Sequence, residues 1–194
     1  MEPSHAMKRA FTLLEAMIVL FVVAALAAFL WPVIARFNAP KRYVSCQSNL
    51  KQIGLGLLIY GQDYDDKFPF AHMSSSVGWA DMLQPYVKSR QLFLCPTTQN
   101  LSLSTSDYFY NRRLSRVLLA KIKHPSSIIM IGDGEEAAPT WNSWMGFPAD
   151  AATNPDSPCR RQMDGANYGF VDGHIKYLKP HDLSRQTKWN PLTP

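Results

Sequence analysis

Between Ala16 and Ala35 the chain carries no charged side chain; after Ala16 it runs MIVLFVVAALAAFLWPVIA. About twenty such residues, wound as a helix, cross a hydrocarbon core of about 30 Å. A chain that opens this way must place its first helix in lipid or against other apolar helices, and fold the remainder elsewhere. Lys8 and Arg9 precede the run and mark its cytoplasmic side, while Arg36, Lys41 and Arg42 beyond the far end keep that bias mild. A secretory signal peptide shares the basic start and apolar core, with Ala25-Leu26-Ala27-Ala28 as its cleavage site, and a plain membrane anchor shares the span. Glu15 argues against both. A carboxylate in an apolar helix costs roughly 2.5–3.5 kcal/mol on insertion scales, so it is retained for a partner.

The remaining composition bounds the answer. At 194 residues, 46% hydrophobic and 18% charged, the chain suits one compact domain plus an appended segment. The net charge of +5 includes no long Lys/Arg block, so nucleic acid is not indicated as a partner. Cys46, Cys95 and Cys159 form no C-x-x-C pair, which argues against zinc; one disulfide plus one leftover thiol is the simplest arithmetic in an exported protein.

The octet around Glu15, K-R-A-F-T-L-L-E at positions 8–15, resembles the leader of type IV prepilins and type II secretion pseudopilins. The resemblance implies cleavage by a prepilin peptidase between Ala10 and Phe11 and N-methylation of Phe11. It further implies that Glu15, fifth in the mature chain, neutralises the Phe11 amine of a neighbouring copy as the helices bundle. Pro32 matches the helix-kinking proline common in these proteins, since Pro removes a helical hydrogen bond. Ala10 departs from the family's usual Gly, which bears on processing rate. The native start is Met1 or Met7.

After Pro40, Cys46, Leu50, Ile53, Leu57, Tyr60 and Tyr64 recur at spacings of four and three, the stripe of a helix with one buried face. Gly54 and Gly56 weaken that helix, by up to about 1 kcal/mol each relative to Ala, and Asp65-Asp66-Lys67 with Pro69 end it. Downstream, Trp79–Val87 reads as a short helix broken at Pro85, and Gln91–Cys95 as a strand-like run stopped by Pro96. Ser126–Ile131 reads as a strand ending at Gly132-Asp133-Gly134. Tyr168–Val171 and Ile175–Leu178 flank Asp172-Gly173, a tight-hairpin dipeptide. Residues 135–161, rich in Pro, Ala and Asp and holding Trp141 and Trp144, read as a surface excursion where contacts tend to lie. The expected fold class is α+β: a long N-terminal helix spine, as in the pilin fold, packed on a small antiparallel sheet. The expected organisation is a cleaved leader at 1–10, a membrane or filament-core half-helix at 11–36, an amphipathic half-helix at 37–66, and a β-rich head at 67–194.

Segments 46–54 (CQSNLKQIG), 60–69, 79–87, 93–96 (FLCP) and 165–174 (GANYGFVDGH) look like the pseudopilin G-like subgroup, whose C-terminal motif is His, nine residues, then Asp-Gly. The His position falls on Gln162, and Asp172-Gly173 remain. The subgroup also carries the Cys46 and Cys95 positions together, which implies that pair as the disulfide and leaves Cys159 free or pairing instead with Cys95. Asp133, Glu135, Asp164 and Asp172 sit near predicted strand ends, where several such proteins hold calcium; the alternative is that they cap turn amides. No other cofactor is expected. His124, His174 and His181 read as turn or surface residues. Asn100-Leu101-Ser102 is a glycosylation sequon, and Ser74–Ser76 could carry O-glycans. No hydrolase, zinc-protease or phosphate-loop signature is present, so no enzyme is expected.

What the resemblance implies is a subunit that polymerises into a helical, type IV pilus-like extracellular filament, held in the inner membrane by lipid before assembly and then found in the periplasm or on the cell surface. Its partners would be further copies of itself, the prepilin peptidase and the inner-membrane assembly platform. Two alternatives stand beside it: a pseudopilin of a periplasmic secretion piston, and a membrane-anchored binding domain that does not polymerise.

Overall fold

The computed structural model describes residues 13–74 and 76–192, with the backbone alone over 32–43. Helix α1 runs Leu13–Asp63, and the chain divides into two units, one ending at Lys41 and one beginning at Arg42. In the first unit the window Leu13–Trp31 is long and apolar enough to cross a membrane, with a mean hydropathy of 2.7 and no residue buried. In water so much exposed Leu, Val and Phe is unfavourable by about 25 cal/mol per Å², so this surface requires lipid or apolar neighbours.

The second unit begins with the amphipathic part of α1. Cys46, Leu50, Ile53 and Leu57 are fully buried and Tyr60 nearly so. Tyr64, the last residue of the expected stripe, lies past the helix end and is 53% exposed, its ring stacked on Tyr60. The helix stops because Asp65 and Asp66 adopt left-handed backbone conformations (φ 53° and 55°). The two glycines that weaken the helix locally also let it approach its neighbours. A Cβ on Gly54 would stand 3.3 Å from Met130, and one on Gly56 would stand 3.0 Å from Val87.

Strands β1 (His72–Ser74) and β2 (Val77–Gly78) make a small ribbon leading into helix α2 (Trp79–Met82). Five further strands form one sheet: β3 (Thr105–Asn111), β4 (Ile129–Pro139), β5 (Ser143–Trp144), β6 (Ala166–Phe170) and β7 (Ile175–Leu178), in the order β5-β3-β4-β6-β7. All pairings are antiparallel except the two-residue β5, which runs parallel to β3. Helix α3 (Pro180–Gln186) follows. The chain is thus an apolar N-terminal helix followed by an antiparallel-rich sheet, an α+β arrangement consistent with the pilin fold.

Because side chains alternate across a strand, β3 feeds two cores. Tyr108 and Tyr110 join Leu50, Ile53, Leu57 and Trp79 in one core. Phe109 enters the other, with Ile129, Cys159, Tyr168, Phe170 and Leu183. Several sequence expectations change here. Gln91–Cys95 is not extended: Arg90–Phe93 form a 3₁₀ turn, capped by the Ser89 hydroxyl accepting from the Gln91 amide. The strand expected to end at Gly132-Asp133-Gly134 continues to Pro139, since the rings of Phe109 and Tyr168 close over Gly132 and leave no room for a Cβ (2.7 Å to each). Helix α2 ends at Met82, before Pro85. Strand β3 and helix α3 gave no clear sequence signal. The stretch 135–161 is only partly a surface loop. It contains the end of β4 and all of β5, while Trp144 stacks on Phe109 at 4.2 Å and Cys159 is buried. Trp141 remains 42% exposed.

Candidate functional site

In the N-terminal unit Glu15 lies on α1, inside the apolar window Leu13–Trp31. Its neighbours Met17, Ile18 and Val19 are all exposed. Ala10 and Phe11, the cleavage and methylation positions, lie outside the described residues, as do Lys8, Arg9 and both candidate starts. The backbone of α1 is helical through Pro32; the placement of the Pro32 side chain lies outside the described residues.

In the head, Cys46 of α1 is bonded to Cys95, and Cys159 is free and buried. The pair joins positions 49 apart in sequence, a closure worth about 4 kcal/mol in the chain-entropy account. Two side chains attend the bridge. The Thr97 hydroxyl lies 2.9 Å from the Cys95 Sγ, and Gln162 donates from Nε2 to the Thr97 hydroxyl at 3.0 Å and to that sulfur at 3.3 Å. Gln162, standing where the subgroup has His, is therefore buried against the disulfide rather than presented to solvent.

Two buried carboxylates of the sheet have unlike surroundings. Asp107 accepts four bonds, from the Cys95 and Ala137 amides (2.8 and 2.9 Å), the Thr98 hydroxyl (2.7 Å) and the Asn100 amide (2.9 Å). Asp133, on the adjacent β4, accepts through Oδ2 alone, from the Asn167 backbone amide at 2.8 Å and its side chain at 3.2 Å; Oδ1 has no hydrogen-bond partner among the described residues. Burial dominates and pushes its carboxyl up to about 6, against the nearby Arg161 charge and the Asn167 bonds, which act downward. Arg161 itself donates to the backbone oxygens of Asp107 (2.7 Å) and Gly134. The link between Asp107 and Arg161 had no sequence signature, since the two lie 54 positions apart and only the fold unites them.

The four carboxylates considered for calcium are dispersed in role. Asp133 is buried against Asn167, Glu135 is exposed, Asp164 pairs with Arg160, and Asp172 caps the hairpin by accepting from the His174 amide (3.1 Å). Among the described residues no three His, Cys, Asp or Glu side chains are grouped to hold a metal ion. His174 lies 2.6 Å from Asp172 and stacks on Phe170, His181 lies 3.3 Å from Asp182, and His124 is exposed. The Asn100 amide of the sequon is already committed to Thr105 and Asp107 (2.9 Å each). Ser74 and Ser76 are exposed and share a bond; Ser75 lies outside the described residues.

Set against known families, residues 5–31 match the model described as a prokaryotic N-terminal methylation motif. The matched stretch takes in Glu15 and the whole apolar window of α1, and it supports a type IV pilin or pseudopilin-like subunit, processed by a prepilin peptidase and held in a membrane before assembly. No curated protein and no solved structure matched the chain.

Proposed function

We propose that this chain is a structural subunit that polymerises into a type IV pilus-like extracellular filament. The observation that carries the reading is the coincidence, within residues 5–31, of the methylation motif with an exposed apolar helix that carries the carboxylate Glu15. Cut before Phe11, the chain would present a methylated amine with Glu15 as its fifth residue. In a bundle of such helices, Glu15 of one copy then neutralises the amine of another and sets the axial register, because an ion pair in an apolar medium is strongly favoured over two separated charges. The helix from 11 to 36 would be filament core and the head from 67 onward its surface. Calcium would be at most a structural guest of the head.

The secretion piston uses the same device in a shorter fibre. Of Trp141 and Trp144, only Trp141 is strongly exposed, so fibre length is the property that separates the two classes. The test is electron microscopy of sheared surface material from cells expressing the chain. Long fibres containing it are expected from the native sequence, with loss of at least about tenfold for Glu15→Ala, the order of effect for an uncompensated charge. Assembly untouched by Glu15→Ala would refute the reading, and fibres confined to the periplasm would move the chain to the secretion class.

A further inference from the structure

The connection from β3 to β4 is strongly basic. Residues 112–124 hold Arg112, Arg113, Arg116, Lys121 and Lys123 and no carboxylate. All five are exposed, and among the described residues none has an ion-pair partner within 4.0 Å. Arg113 is steadied by donating its Nε to the Met145 carbonyl, and Arg116 lies over the Phe70 ring. Asp65 and Asp66 at the end of α1 do not form an ion pair with this charge: Asp65 pairs with Lys67, and Asp66 accepts through its backbone oxygen from the Leu119 amide.

The same sheet carries the opposite charge further along. A cleft of about 540 Å³ is lined by Glu135, Glu136, Asp150 and Asp156, together with Arg160 and Arg161. Both guanidiniums are already engaged, Arg160 by Asp164 and the Ala152 carbonyl, Arg161 by the Asp107 and Gly134 carbonyls. None of the four lining carboxylates is in an ion pair among the described residues. The basic connection leaves the sheet at the Asn111/Ile129 end, while Glu135 and Glu136 lie six and seven residues further along β4. At about 3.3 Å per residue that is roughly 20 Å along the strand. The head is charge-polarised along its strands.

We infer that the basic β3–β4 connection of one copy docks on the carboxylate-lined cleft of the next. This inference rests on the filament reading above and deepens it by naming the head-to-head contact. Two different patches on one body make a heterologous contact, which repeats without closing and so generates a helical fibre. The charges choose the partner and its register rather than supply most of the affinity, and the contact weakens as salt rises because the groups are exposed.

The test uses the full chain in cells that assemble it. Filament yield is compared for the native sequence, for Lys121→Glu/Lys123→Glu, and for that pair combined with Glu135→Lys/Glu136→Lys. The first reversal lowers yield about tenfold or more, and the combined reversal restores most of it, since like charges in register repel and re-paired ones attract. A second measurement does not depend on any variant folding: carbodiimide coupling of native filaments built from mixed light- and heavy-isotope chains, read by mass spectrometry. Coupling between Lys121 or Lys123 of one chain and a lining carboxylate of another is expected. Filaments that tolerate the first reversal, a combined reversal that stays defective, or native filaments whose lysines couple only to other molecules would each overturn the inference. In those outcomes the native filament and its Glu15 dependence persist, so the filament reading survives. A native chain that forms no filament removes that reading, and this one with it.

Discussion

Asp133 is the residue whose physics is least comfortable. It is fully buried, one oxygen lacks a partner, and its carboxyl sits near 6 against an ordinary value of 3.8. A carboxyl whose folded value is raised binds its proton more tightly when folded, so its contribution to stability is complete below about 3.8 and is lost as pH rises through about 6. The head should therefore lose on the order of 2–3 kcal/mol from this group between pH 4 and 7. Asp133→Asn, which cannot ionise, removes that part of the pH dependence and raises the melting temperature at pH 7. Near-ultraviolet circular dichroism of the detergent-solubilised full chain, native against variant across that range, checks it; parallel pH profiles would refute it. The environment of Asp133 was not legible in the sequence. Asp133 in Gly-Asp-Gly reads as a turn carboxylate, and only the ring contacts over Gly132 reveal a strand passing through it.

At the scale of elements, the disulfide and the attending Gln162 hold α1, the segment after Cys95 and the return of the 135–161 stretch in one arrangement. Replacing both bridge cysteines by Ser should cost roughly 2–5 kcal/mol, seen as a lower denaturant midpoint with an unchanged slope. A midpoint within error of the native chain would show that packing alone fixes α1. Elements written in local chemistry could be read from the chain: the 46–60 stripe, because burial follows its spacing, and the β6–β7 hairpin, because Gly173 takes the positive φ (85°) its turn needs. Strand β3 could not, because Thr-Ser-Asp-Tyr-Phe-Tyr-Asn alternates between two buried faces instead of one buried and one wet. Trp144 belongs to the same class. Its partner Phe109 is thirty-five positions away, so its burial is a property of the sheet.

For the whole molecule, the division of labour follows from where apolar surface is left uncovered. The head closes two cores of its own, whereas the window Leu13–Trp31 is left exposed and awaits lipid or copies. That contrast was readable from the uncharged run and Glu15, and the match over residues 5–31 supports it. Pairing and topology in the head had to be seen. The account turns on processing, because only a cut before Phe11 brings a free amine within reach of Glu15. The most direct test is mass spectrometry of the N-terminal peptide of the chain recovered from sheared filaments. The account predicts a peptide beginning at Phe11 and carrying one added N-methyl group. A retained leader, an unmodified Phe11 or a terminus created after Ala28 would contradict it.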